Sequence, residues 1–211
     1  MLPSRKLLYD NDIRFIAAAS HWPQELWAKP SLCAQWTNHD VLAHLALGYQ
    51  ASPAEMGLAW ARHGGSFDRA NAALAQRLAR QRTPSELLAQ LATAMSNPRG
   101  VGRVFPRRLL LGDHVIHELD IRFAAGLESA AGPAQLVAVL NTQVQLPNPF
   151  IPSRTWARGL ALRADDIGWT HGAGPGVRGD AAHLASVLAG RPWALRHLSG
   201  DGVDLLRKRL A

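Results

Sequence analysis

Apolar residues recur at helical spacing across most of the first 145 positions. Leu7, Leu8, Ile13 and Ile16 mark a helix over about Ser4 to Ala19, and Pro23 and Pro30 punctuate the segment after it. Thr37-Asn38-His39-Asp40 reads as a capping box, in which side chains satisfy the free N–H groups of a helix start. Val41, Leu42, Leu45 and Tyr49 then share one face. Pro53 kinks or ends that helix, and helical character resumes through Trp60 before Gly64-Gly65. Periodic runs follow from Phe67 to Leu78 and, behind the cap Thr83-Pro84-Ser85-Glu86, to Met95. Asn97-Pro98-Arg99-Gly100 breaks the chain, and another helix begins near Pro106. The pattern predicts a bundle of about four main helices with short connections.

The pattern changes at Leu146-Pro147-Asn148-Pro149-Phe150-Ile151-Pro152, where closely spaced prolines stiffen the backbone into a linker. Beyond it, Thr155 to Leu162 and Ile167 to Thr170 read as short strands around an Asp165-Asp166 turn, and Gly172 to Gly176 as a loop. An apolar helix runs from Gly179-Asp180 to Leu188, and a last helix follows Gly200-Asp201-Gly202. The expected fold is mainly α with a small α+β domain: a helical bundle over residues 1–145 and a compact C-terminal α+β domain over 146–211.

Composition supports a globular chain, with 47% hydrophobic and 18% charged residues, and its abundant Ala and Leu favour helix. The single cysteine, Cys33, excludes an internal disulfide framework and fits a reducing cytoplasm. Charged residues come too early for a signal sequence, and no apolar run approaches the roughly 20 residues that span a bilayer. A soluble, cytoplasmic protein is expected. The formal charge of +7 is spread over scattered Arg residues with no recognition-helix, zinc-finger or RNA-binding signature, which makes nucleic acid an unfavoured partner.

Candidate chemistry concentrates in Asp113-His114-Val115-Ile116-His117-Glu118-Leu119-Asp120. At 100° per residue, Asp113, His117 and Asp120 fall in one stripe bordering the apolar face of Phe105, Leu109, Ile116, Leu119 and Phe123. His114 and Glu118 are expected on the wet side. A carboxylate and an imidazole one turn apart can grip a divalent cation without bending the backbone. The third ligand must come from another helix, and His44 has the same core-edge placement. The alternative is that its ring is satisfied by a carbonyl or carboxylate.

Trp27, Pro30-Ser31-Leu32-Cys33 and Trp36-Thr37-Asn38-His39-Asp40-Val41-Leu42-Ala43-His44-Leu45 resemble the first motif of the mycothiol-dependent maleylpyruvate isomerase family, a branch of the DinB-like metal-binding four-helix bundles. The 113–120 segment resembles its second motif. Val177 to Leu184, Leu188-Ala189-Gly190-Arg191 and Leu198 to Gly202 resemble its small C-terminal domain. The resemblance implies a divalent cation, usually zinc, held by His44, Asp113 and His117, with a coordination position left open. The family more often carries Glu where this chain has Asp113, a side chain one methylene shorter. Asp120 is placed to orient His117 or a bound water, or else pairs with an Arg as a surface carboxylate.

The implied cofactor is mycothiol, whose thiolate would add to a small, in some cases anionic, electrophile. Collapse of the adduct gives isomerisation, and its persistence gives S-transfer. Arg191 is the candidate contact for an anionic substrate or developing enolate, against a structural reading as a cation at a helix C-terminus. Cys33 is not expected to be a nucleophile, Asp165-Asp166 is expected to serve a turn, and the tryptophans are expected to anchor packing. The rival functional classes are a non-catalytic metal-binding or regulatory bundle and, behind it, a basic nucleic-acid-binding protein. The sequence leaves oligomeric state open.

Overall fold

The computed structural model describes residues 4–148 and 150–211, so Pro149 of the expected linker lies outside the described residues. The N-terminal two thirds is helical: α1 (Ser4–Ala19), α2 (Gln24–Ala28), α3 (Asn38–Gly48), α4 (Pro53–Arg62), α5 (Phe67–Gln81), α6 (Pro84–Ser96), α7 (Gly100–Val104), α8 (Arg107–Ala124) and α9 (Pro133–Gln145). Then come α10 (Ser153–Ala157), strands β1 (Ala161–Ala164), β2 (Trp169–His171) and β3 (Gly176–Gly179), α11 (Ala181–Leu188), a 3-10 turn (Pro192–His197) and α12 (Val203–Leu210). The sheet order is β2-β1-β3, with β1 antiparallel to β2 and parallel to β3. No described helix is long and apolar enough to cross a membrane.

Local signals set most helix starts. Thr37, Ser52 and Thr83 each form a full capping box with the acidic residue three positions on. Pro53 therefore starts α4, and the chain between Gly48 and Pro53 is a break rather than a kink. The close crossing of α7 over the end of α3 requires glycine: a Cβ on Gly102 would lie 2.6 Å from the Gly48 carbonyl oxygen.

One apolar core runs from Leu7 and Phe15 in α1 through Leu42 and Leu45 in α3, Leu87 and Leu91 in α6, and Leu111 and Leu119 in α8 to Leu162 and Leu206. Helix α8 is central, packing against α1, α3, α9 and α11. This overturns the expected wet side of that helix, because α1 covers it: His114 and Glu118 are buried. Phe105, expected on the apolar face, lies before the helix and is exposed.

The sequence pattern passed over α9, although Pro133 at its start and Leu136, Val139, Leu140 and Val144 on one face supply the usual signals. The expected strand over Thr155 to Leu162 is α10 followed by β1, and the residues after the Gly172 loop form β3. Asp165 pairs with Arg163 and Arg178, while Asp166 Oδ1 accepts the Ala181 N–H at the start of α11.

Candidate metal centre

Three helices and one loop assemble the site. His44 lies at the end of the second turn of the capped α3, Asp113 and His117 lie one turn apart on α8, and Asn71 approaches from α5. His44 Nε2 is 3.2 and 3.4 Å from the two carboxylate oxygens of Asp113, and His117 Nε2 is 3.6 Å from Asp113 Oδ1. The donor atoms of His44, Asp113 and His117 all lie within 4.8 Å of one another. Ligands about 2.0–2.1 Å from a tetrahedral zinc stand roughly 3.4 Å apart, so two imidazoles and a carboxylate at these separations fit such a cation. The shorter Asp113 reaches both imidazoles because α3 and α8 pack directly.

Each imidazole has a partner behind it. His117 Nδ1 is 3.0 Å from Asp120 Oδ2, and His44 Nδ1 is 3.2 Å from Asn71 Oδ1. Both acceptors turn the Nε2 atoms toward Asp113. Trp36 closes one side, its ring stacked on His117 at 5.9 Å and 17° and tilted against His44 at 5.3 Å. Asp113 keeps a third of its side chain exposed, against about a tenth for each histidine, so the open side of the cluster is at the carboxylate.

Arg191 arrives through a helix ending. Gly190 adopts φ +82, the Gly190 N–H donates to Val187 O and the Arg191 N–H to Ser186 O, which is a Schellman motif. The turn aims the guanidinium at α8, where Nε and Nη2 donate to the two oxygens of Asp120 at 2.9 and 2.7 Å. Nη1 donates to Ala189 O at 2.7 Å, so Arg191 also complements the end of α11. The fork expected to meet an anionic substrate is therefore held by Asp120. Asp120 is itself buried rather than a surface carboxylate, with 1% of its side chain exposed.

Electrostatics follow from these pairings. Burial disfavours the Asp113 carboxylate, but His44 and then His117 outweigh it and hold its pKa below the usual range. Burial likewise opposes charge on Asp120, and Arg191 overrides it, again lowering the pKa. The pKa of His117 is lowered by burial, against the opposing effect of the hydrogen bond it donates to Asp120, and the lowering favours the neutral ring that metal ligation needs.

Cys33 lies beside the cluster, its Sγ within 4.8 Å of donor atoms of His117 and Asp120. Its loop is pinned to α8 by the Leu32 N–H, which donates to the Asp120 carbonyl at 3.2 Å. Burial pushes the thiol up to about 11 despite the nearby Arg191, which keeps it protonated and a poor nucleophile.

The residues not found by sequence reasoning are Asn71, whose neutral side chain on an amphipathic helix carries no spacing signal, and Trp36 as a wall of the site. A second buried group lies on the far side of α8. Asp12 joins His114 Nδ1 at 2.8 Å and the Tyr49 hydroxyl at 2.6 Å, while Glu118 accepts from Arg14 and Arg122.

Residues 12–97 match the family model described as the mycothiol maleylpyruvate isomerase N-terminal domain. Among curated proteins none matches the chain. Two crystal structures share its fold, each 16% identical and covering 95% of this chain and 93% of the other: a mutant of the mycothiol-dependent maleylpyruvate isomerase, with a TM-score of 0.57, and the mycothiol-dependent maleylpyruvate isomerase, with 0.55. At that identity the likeness establishes architecture. The segment that carries His44 and Asn71 is the part of the chain similar to the mycothiol maleylpyruvate isomerase N-terminal domain.

Proposed function

We propose that this protein is a metal-dependent enzyme that uses a low-molecular-weight thiol, mycothiol, to isomerise or conjugate a small electrophile. The observation that carries the reading is the convergence of His44, Asp113 and His117 with an open side at Asp113. The family match and the relatives named for mycothiol-dependent maleylpyruvate isomerase support it. A divalent cation bound there, zinc by its donor set, would lower the pKa of a thiol at its open position and hold the thiolate ready to react.

The chain's own groups divide the remaining work. Asp120 accepts the Nδ1 proton of His117 and so keeps Nε2 toward the cation; Arg191 holds Asp120 ionised. Trp36 shields both rings from water. The protonated Cys33 does not compete with the external thiol for the electrophile. Thiolate addition to a conjugated carbon loosens the double bond, rotation follows, and expulsion of the same thiolate gives the isomer. Retention of the carbon–sulfur bond with proton uptake gives the conjugate. Arg191 has one further N–H on each Nη atom beyond its bonds to Asp120 and Ala189, and these are the donors available to an anionic substrate. Residues 1–145 form the metal-binding bundle in this reading, and 146–211 the unit that supplies Arg191.

Protein purified without chelator is expected to contain about one divalent cation per chain and to accelerate the reaction of mycothiol with members of an electrophile panel, more than glutathione or cysteine does. Metal-replete protein that accelerates none of these reactions overturns the enzymatic reading and favours a binding role.

A further inference from the structure

The two histidines of the cluster are held from behind in different ways. His117 leans on a carboxylate that is itself clamped by Arg191, whereas His44 leans on the neutral amide of Asn71 at 3.2 Å. Packing alone does not determine which ring atom of His44 faces Asp113. A half-turn about the Cβ–Cγ bond exchanges Nδ1 with Cδ2 and Nε2 with Cε1, and flat neighbours such as Trp36 at 5.3 Å and His117 at 4.7 Å accommodate either ring position. A directional acceptor does discriminate. The amide oxygen of Asn71 has no proton to give, so Nδ1 must be the donor, and Nε2 is then the atom turned to Asp113.

We propose that Asn71 is a positioning residue that fixes the ring orientation and tautomer of His44 for metal ligation, as Asp120 does for His117. The inference rests on the reading that His44, Asp113 and His117 hold a cation. Helix α5 is suited to the task, because its buried Ala70, Leu74 and Ala75 lock it in place and α3 packs along it. Asn71 thereby stands on a rigid element rather than a loop. An uncharged acceptor polarises its imidazole less than a carboxylate does, which makes His44 the weaker donor of the pair.

The test is zinc affinity by competition with a chromophoric chelator, read alongside the His44 Nδ1–H resonance of the zinc-loaded protein. Wild type is expected to show that proton protected from solvent exchange. Asn71→Leu, similar in volume but without an acceptor, should lose the protection and bind zinc about ten- to a hundredfold more weakly. Asn71→Asp, which keeps an acceptor oxygen, should restore both. A purely structural bond between α3 and α5 would alter melting temperature and leave the affinity of the folded protein unchanged.

Folded Asn71→Leu with wild-type zinc affinity overturns the proposal while leaving the metal reading intact. Wild-type protein that takes up no zinc overturns the metal reading and the proposal together. Should Asn71→Leu fail to fold, Asn71→Asp decides: zinc affinity at least equal to wild type supports the proposal, and a loss of tenfold or more overturns it.

Discussion

The two sides of α8 carry nearly the same chemistry and pair it differently. On one side Asp113, His117 and Asp120 meet His44 and Arg191; on the other, His114 and Glu118 meet Asp12, Tyr49, Arg14 and Arg122. The second group is closed. Asp12 takes two donors, Glu118 takes two guanidinium groups, and His114 and Glu118 are each 1% exposed. The first is open, with two Nε2 atoms and a partly exposed carboxylate turned toward one another and no Arg or Tyr among them. A histidine and a carboxylate close together are therefore not a functional signature in themselves. What separates the two is the carboxylates: Asp12 and Glu118 are already taken by other protein groups and closed off from solvent, even though His114 Nε2 is buried without a partner among the described residues, whereas Asp113 faces two imidazoles and keeps an exposed side.

Substituting one histidine from each side tests the contrast most severely. His117→Ala should lose bound metal and activity altogether, because it removes a ligand. His114→Ala should keep its metal content but lower stability by about 3 kcal/mol, since the buried Asp12 loses its imidazole partner and keeps the Tyr49 hydroxyl. Metal analysis and thermal denaturation of both variants measure the difference. Equal metal loss in the two would mean that the sides do not divide as described.

Asp120→Asn should come next. It breaks the ion pair with Arg191, at a cost of about 3–5 kcal/mol for a buried pair, and weakens metal affinity about tenfold or more by removing the carboxylate behind His117. Conversely, Glu118→Gln on the far side should affect melting temperature alone.

The pH dependence of stability should have opposite signs on the two sides when measured on chelator-treated protein. Asp120 has a depressed pKa, through Arg191 against burial, so its contribution is present above the unfolded carboxylate value of about 3.9 and lost as pH falls through the lower folded value. His114 has a raised pKa, through Asp12 against burial. Its contribution is complete below the unfolded value of about 6.5 and lost as pH rises through the folded one. Denaturant titrations of wild type, Asp120→Asn and His114→Gln across pH 3–9 resolve the two slopes. The same slope in both variants would contradict the pairings.

The smallest effect belongs to Arg191→Lys. It preserves charge but not the two-pronged contact with Asp120, and a loss of about 1–2 kcal/mol in stability with a modest fall in turnover is expected. Thermal melts and steady-state rates measure it, and a variant equal to wild type in both would show that a point charge suffices at this position.

Features with local causes were legible in the sequence. The capping box at Thr37, the i, i+4 pair of Asp113 and His117, and the core-edge placement of His44 all follow from helix geometry and side-chain chemistry. The misread features depend on what packs against what. Periodicity assigned His114 and Glu118 to solvent because it counts apolar residues, and nothing local reveals that α1 lies over them with Asp12 and Arg14 as partners. The sequence marks Arg191 as a candidate anion contact, but its carboxylate partner in the fold is 71 residues away and nothing local names it. Helix α9 is a different case, since Pro133 and the apolar stripe of Leu136, Val139, Leu140 and Val144 are local signals that need no knowledge of packing.

The Schellman turn at Gly190 has a consequence for the order in which the molecule is made. A chain synthesised from its N-terminus presents His44, Asp113 and His117 well before the turn that delivers Arg191. Until α11 docks, Asp120 lacks its counter-ion and cannot be buried cheaply, so water keeps access to the back of His117. Metal captured at that point would sit in a wet, loosely held cluster and exchange readily. Docking of the last helices would convert it into a slowly exchanging one, making the docking of α11 the event after which a cation would be retained.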